Sequence, residues 1–297
     1  MNLFLCKQEP DSPSRVSTAF RKRSHSKFHY YPLPRPVDIM ISKLPPAPAS
    51  FRVLGVRVDA VQIPDVISRM TQWIEERQAG NYIAVTGMHG VMEAQHSVSF
   101  KAILNGASLV VADGMPLVWV GKAHRFPMRR RVYGPELMET FCRVTGGRFR
   151  HFFYGGAPGV ARKLGQIMQQ RFGIRMAGAY SPPFRHLNPD EDRDLIDLLQ
   201  ESRPDILWVG LSTPKQESWM AEYRERSGVP VLVGVGAAFD FFTGRTRQAP
   251  SWMREHGLEW LFRLSTEPRR LWRRYIIYGS QFVWNVALEL TRIKRFT

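Results

Sequence analysis

The sequence predicts an α/β fold: a Rossmann-like, mostly parallel sheet covered by helices over residues 51–245, then a C-terminal helical, membrane-associating appendage over 246–297. Three observations predict it. Short, continuous apolar runs alternate with amphipathic stretches of helical length, which is the pattern of strands buried on both faces. Small and polar residues follow the apolar runs, where open α/β sheets gather ligands. The last fifty residues interleave Trp with Arg and contain few helix breakers.

The elements follow in order. VLGVRVDAV (53–61) predicts a strand. The apolar spacing Ile63, Val66, Ile67, Met70, Trp73, Ile74 predicts a helix over 63–78, and 82–85 a buried strand. The alternation continues with a helix over 91–105, a strand over 108–112, a helix over 135–145, a strand over 151–154 and a helix over 160–171. Next come a strand over 175–179, a helix over 189–201 carried by Leu195, Ile196, Leu198 and Leu199, and a strand over 206–209. A helix over 215–226 and a strand over 231–234 complete the sheet. Residues 1–50, rich in Ser, Pro, Arg and Lys, read as a flexible basic leader outside the fold.

Charge and cysteine content narrow the function classes. The formal net charge of +16 is concentrated: +5 in residues 1–50, +5 in Lys122, Arg125, Arg129, Arg130 and Arg131, and +7 from Arg245 onward. Such localisation suits a polyanionic partner: nucleic acid, anionic headgroups or a phosphorylated substrate. Cys6 and Cys142 are too few and too far apart for a disulfide framework or a metal site. The charge-free run Tyr275–Leu288 has 14 residues, short of the roughly 20 that a spanning helix needs. Trp252, Trp260, Trp272 and Trp284 among tail arginines fit an interfacial element, with indoles at headgroup depth; a helical cap packed on the core is the plainer reading.

Several strand ends carry candidate chemistry. Asp113, in the Asp-Gly turn of ADGMPLVW (112–119), is a lone carboxylate facing the basic block that ends at Arg131, an arrangement suited to proton abstraction beside an anionic substrate. Thr86, Met88 and His89 follow the strand at 82–85, and Ser212, Lys215 and Gln216 follow the strand at 206–209. A cation in a helix's first turn is unfavourable without an anion nearby, which singles out Lys215. Gly155 and Gly156 in GGAPG (155–159) open a helix after a strand and suit either an anion cradle or a tight turn. Asp240, among Phe239, Phe241 and Phe242, is either catalytic or a buried capping residue, and His89 either a base or a hydrogen-bonded neighbour of the helix start. DED (190–192) lies at a helix start, where acids are expected; with no Asp-x-Asp pair at the strand ends, neither metal nor cofactor is expected.

Six blocks in unbroken order carry a resemblance: ADGMPLVW, RVYGPEL (131–137), FFYGGAPGVA (152–161), PDILWVGLSTPKQESWM (204–220), VGVGAAFDFFTGRTRQAPSWM (233–253) and GLEWLFRLSTEPRRLWRRY (257–275). Over about residues 51–280 the chain resembles the WecG/TagA/CpsF family, glycosyltransferase family 26. The resemblance implies an inverting, metal-independent hexosyltransferase. It would move N-acetylmannosamine or a related hexose from a UDP-sugar to an undecaprenyl-diphosphate-linked acceptor, in bacterial surface polysaccharide or teichoic acid synthesis. It implies Asp113 as base, Arg131 as the family's RxxG arginine and Gln216 as the Gln of its PKQE motif. The tail arginines Arg263, Arg269, Arg270 and Arg273 are expected on the acceptor diphosphate. It places the enzyme in the cytoplasm, peripheral on the inner face of the plasma membrane, against an anionic surface and with no nucleic acid partner; a homo-oligomer is compatible with it. One departure stands out: Met88 occupies the Asn position of the family's T-x-N. Two other classes fit less well. A nicotinamide-dependent oxidoreductase needs GxGxxG after the first strand, which LGVRVDA (54–60) lacks, and a nucleic-acid-binding module rests on the pI of about 10.3 alone.

Overall fold

The computed structural model describes residues 47–296. The leader assigned to residues 1–50 lies almost wholly outside them. The chain opens with a hairpin, β1 (Ser50–Val53) and β2 (Val56–Asp59), paired antiparallel as a separate two-stranded sheet. The single strand expected over 53–61 is therefore wrong. Leu54 and Gly55 both take positive φ (51° and 80°), the paired left-handed residues of a tight hairpin turn. Leu54 disguises that turn because its side chain is fully buried.

Helix α1 (Ile63–Glu75) leads into β3 (Asn81–Thr86). The helix expected over 91–105 is two, α2 (Met88–His96) and α3 (Val98–Asn105), because Ser97 adopts extended backbone and its Oγ accepts the Phe100 N–H. After β4 (Leu109–Ala112) comes an unexpected helix, α4 (Met115–Ala123), where Pro116 sits in the first turn. The remainder follows the expected alternation: α5 (Gly134–Thr145), β5 (Arg150–Gly155), α6 (Val160–Phe172), β6 (Arg175–Tyr180), α7 (Pro189–Ser202), β7 (Ile206–Gly210), α8 (Lys215–Arg226) and β8 (Val231–Gly234).

The main sheet has order β4-β3-β8-β7-β5-β6, and every neighbouring pair is parallel. Strand residues alternate between two cores. Tyr82, Phe152 and Leu207 pack toward α2, α3, α4, α7 and α8, while Ile83, Phe153 and Trp208 pack toward α1, α5 and α6. The chain winds outward from β3 to β4, crosses to β5, and returns through β7 to β8. Strands β3 and β8 thus meet at a topological switch point, where the crevice beyond their carboxyl ends is open to a ligand.

The tail comprises α9 (Ala238–Phe242), α10 (Ser251–Glu255), α11 (Glu259–Thr266), α12 (Pro268–Trp272) and α13 (Tyr278–Leu290), with a π-helical turn over Arg273–Ile277 between the last two. It is docked on the sheet domain. Leu271, Phe282 and Val286 are buried, and Phe282 and Val286 join the core behind α2. The carboxylate of Glu289 accepts the Leu54 N–H at 3.0 Å, tying the end of α13 to the hairpin turn. Burying each large apolar side chain stabilises by about 1.5–3 kcal/mol, so this docking carries several kcal/mol.

At the opposite end of β5, His151 is fully buried. Its Nδ1 accepts the Trp208 Nε1–H at 3.1 Å, which puts the ring proton on Nε2. Burial lowers its pKa to about 3. Above pH 6.5 the imidazole is neutral folded and unfolded alike. Below it the unfolded chain takes up the proton first, so His151 removes stability progressively between pH 6.5 and about 3. In His151→Phe this contribution disappears. Urea melts from pH 7 to 5 should show the stability difference moving in the variant's favour by up to about 1.4 kcal/mol per pH unit.

Candidate functional site

A cavity of about 410 Å³ lies over the carboxyl ends of β3, β4 and β8, roofed by α11, the π turn and α13. Its floor is Asp113. The Asp113 N–H donates to Thr86 O (2.8 Å), continuing the β3–β4 ladder by one step, and its Oδ1 accepts the Gly134 N–H (3.2 Å). After α4 the chain returns: the Val132 N–H donates to Ala112 O (2.7 Å). That single bond sets Arg131 and Tyr133 on either side of the strand end, beside Asp113. Burial raises the Asp113 pKa; Arg131 and Arg274 oppose the rise, and Glu259 adds to it.

Arg131 faces a group contributed by the tail. Its Nη2 donates to Glu259 Oε2 at 2.5 Å, and its guanidinium lies 4.2 Å from the centre of the Tyr133 ring. The Tyr133 hydroxyl donates to Glu259 Oε1 (2.9 Å) and accepts from Gln248 Nε2 (3.1 Å). Burial, with Glu259 nearby, pushes the Tyr133 hydroxyl far above its ordinary pKa, which keeps it a donor. Glu259 is buried and held by both partners.

A second, more open chamber of about 620 Å³ adjoins the first and shares His89, Ser212, Thr213, Ala237, Arg263 and Arg274 with it. Its wall includes Arg270 and Arg273. Arg270 pairs with Glu267, whereas Arg263, Arg273 and Arg274 meet no carboxylate within salt-bridge distance among the described residues. Arg274 sits in the π turn, and burial lowers its pKa, with Asp113 pulling the other way. Unpaired guanidiniums around a concave space are suited to an anion.

The remaining expected residues divide. Met88, His89, Ser212 and Gln216 line the main cavity. His89 stacks on Tyr278 at 5.7 Å, and its Nδ1 lies 3.7 Å from Glu93 Oε1. Burial and Arg274 lower its pKa to about 3, so the ring is neutral at physiological pH and too weakly basic to hold an abstracted proton. Gln216 is occupied internally: Oε1 accepts the Gly236 N–H (3.1 Å) and Nε2 donates to Glu217 Oε1 (3.1 Å), so it braces the β7 and β8 loops against each other.

Several expectations are corrected. Thr86 lies behind the cavity wall; its buried Oγ1 sits so close to Gly90 that a β-carbon there would come within 2.0 Å. Gly155 and Gly156 line neither chamber. Their positive φ values (129° and 70°) serve close packing, since a β-carbon would meet Gly210 O at 2.5 Å or Val160 Cγ1 at 2.7 Å. Lys215 and Arg269 are exposed and line neither chamber. Asp240 is not buried among the phenylalanines: it borders the second chamber, 43% exposed, with the Arg245 Nε 3.4 Å away.

Sequence reasoning missed Glu259, Tyr133, Glu217 and the inward role of Arg274. Glu259 had a signal, being one of few acids in a strongly basic tail. Glu217 is fully buried and accepts from Thr213 Oγ1 (2.8 Å); burial raises its pKa. Among the described residues, no three His, Cys, Asp or Glu side chains gather as a metal-binding group.

The chain is similar to known proteins over most of its described length. Residues 51–296 match the Glycosyl transferase WecG/TagA/CpsF family, a span covering both the sheet domain and its roof. A protein of Bacillus spizizenii, named N-acetylglucosaminyldiphosphoundecaprenol N-acetyl-beta-D-mannosaminyltransferase, is 30% identical over 217 residues, 72% of this chain and 82% of the relative. A protein of the same name from Staphylococcus aureus strain MRSA252 is 25% identical over 248 residues, 83% of this chain and 96% of the relative. With floor, arginine wall and tail all inside the matched span, the chain belongs to the WecG/TagA/CpsF family of glycosyl transferases.

Proposed function

We propose that the chain transfers N-acetylmannosamine, or a closely related hexose, from a UDP-sugar to a sugar carried on undecaprenyl diphosphate, with inversion at the anomeric carbon. The names of the relatives support the acceptor and the transferred sugar. The observation that carries the chemistry is Asp113, a single carboxylate on the cavity floor whose pKa burial raises, beneath the arginines of the tail.

In a single displacement the acceptor hydroxyl oxygen attacks the anomeric carbon as the bond to the UDP oxygen breaks. The bonding pair leaves with UDP, and the hydroxyl proton passes to Asp113. A carboxylate raised above its ordinary range by burial is a stronger base, and Arg131 and Arg274 beside it favour its charged form. Charge growing on the departing diphosphate is stabilised by the unpaired guanidiniums of Arg263, Arg273 and Arg274, with no metal required. Arg131, fixed by Glu259 and Tyr133, holds the floor in place. The apolar wall of Met88, Met115, Pro116 and Val283 suits the first isoprene units of the carrier.

A lipid-linked acceptor together with a UDP-sugar donor supports a peripheral position on the inner face of the bacterial plasma membrane. No helix among the described residues is long and apolar enough to cross a membrane. The tail instead exposes Trp252, Trp272, Ile276, Trp284 and Ile293, side chains suited to headgroup depth.

Asp113→Asn should lower turnover by about 100-fold or more while UDP still raises the melting temperature. The acid limb of the native pH–rate profile, where activity falls as Asp113 protonates, should lie above the ordinary aspartate range and be absent from the variant's residual rate. NAD and oligonucleotides should leave the melting temperature unchanged; stabilisation by either without UDP would return the oxidoreductase or nucleic-acid reading. Because the tail buries Phe282 and Val286, point changes test the membrane role better than truncation. Trp284→Glu with Ile293→Glu should reduce liposome co-sedimentation at least 10-fold, while stability changes by about 0.5 kcal/mol or less per site.

A further inference from the structure

Helix α4 and the loop after it hold a charge cluster that the proposed chemistry uses only through Arg131. Lys122, Arg125 and Arg129 are exposed and pair with no carboxylate among the described residues. Trp119, one turn before Lys122, is 56% exposed although it belongs to a helix whose Leu117, Val118 and Val120 are buried. The same helix begins in the cavity, where Met115 and Pro116 form part of the wall. Helix α4 therefore runs from the cavity to an exposed end bearing an indole and Lys122, and the residues after it add the exposed cations Arg125 and Arg129.

That surface is continuous with the tail. Gly257, at φ 73° between α10 and α11, rests on α4: a β-carbon there would lie 3.0 Å from Met115 Cγ and 3.9 Å from Trp119 Cζ2. Trp252 on α10 and Trp260 on α11 flank this contact in sequence and are 57% and 42% exposed, and Trp260 lines the cavity. Three partly exposed indoles are thus carried by elements that meet at one glycine beside the cavity.

We propose that α4 and the residues following it form a second lipid-facing surface, on the sheet domain itself, that seats the cavity on an anionic bilayer together with the tail. The proposal rests on the transferase reading for its purpose, since a carrier-linked substrate must enter from the bilayer. The occupant follows from chemistry: exposed Trp favours the interface and unpaired Lys and Arg favour anionic headgroups. The chain's own first fifty residues have the wrong charge, an excess of five positives, to cover a cationic patch. A helix C-terminus alone explains Lys122, whose charge the helix dipole favours, but explains neither Trp119 nor Arg129.

The test is binding of the full chain to vesicles of phosphatidylcholine with 30% phosphatidylglycerol, and of phosphatidylcholine alone. Lys122→Gln with Arg129→Gln should weaken binding to the anionic vesicles by roughly 25-fold, about fivefold per charge, and change binding to neutral vesicles little. Trp119→Ala should weaken binding to both, and Trp119→Phe should recover part of it. Turnover of a water-soluble short-chain diphosphate acceptor should match wild type in all three variants, while KM for a vesicle-embedded acceptor rises. Wild-type vesicle binding by the Gln double variant and by Trp119→Ala, with melting temperatures unchanged, would overturn the proposal. So would loss of oligonucleotide binding in place of vesicle binding. Because the vesicle measurement needs no turnover, a chain inactive toward every UDP-sugar would fail the transferase reading and leave the surface still tested.

Discussion

The contact on which the rest of the site depends is the buried pair between Arg131 and Glu259, steadied by the hydroxyl of Tyr133. One partner comes from the segment returning to the sheet after α4, the other from the first turn of a tail helix 128 residues away. A buried ion pair is at best a modest source of net stability, because both charges lose their water. Its value here is positional. Removing either member would cost the other its ion-pair partner in a buried setting, so the pair enforces one seating of the roof over the floor. Gln248 and Tyr133 extend the network and leave both oxygens of Glu259 satisfied.

This seating brings opposite charges to the two sides of one space. Below is a carboxylate made more basic by burial; above are guanidiniums without carboxylate partners. The division is what a displacement with an anionic leaving group requires: proton removal on one side, charge acceptance on the other. The lowered pKa of Arg274 reflects the same economy, since a guanidinium buried with few counter-charges is poised for an anionic ligand. His89 shows the converse. Burial next to Arg274 keeps it neutral, which suits it to hydrogen bonding and removes it from acid–base work.

Much of this was legible in the chain, for reasons that differ by element. Strands such as Ile206–Gly210 declare themselves because burial on both faces demands an unbroken apolar run. Helix α7 declares itself through its apolar spacing and the acids of its first turn. The hairpin turn at Leu54 hid because a buried leucine in a left-handed turn looks like strand, and Ser97 hid because one cap inside a continuous pattern leaves no gap in periodicity. Thr86 and Gly155 stand at the correct strand ends yet face packing partners, since strand-end position fixes depth along the sheet but not which way a side chain turns.

The sequence by itself determined the layered α/β class, the strand-end position of Asp113 and the concentration of Trp and Arg in the tail, because each is a local property of composition or period. Only the tertiary structure decided which arginines turn inward. A π turn over Arg273–Ile277 shifts the helical phase, and Glu259 selects Arg131 from a run of three, so that Arg274 faces the floor while Arg269 faces solvent. Phase and pairing across more than a hundred residues are set by packing between distant elements, and no local pattern encodes them.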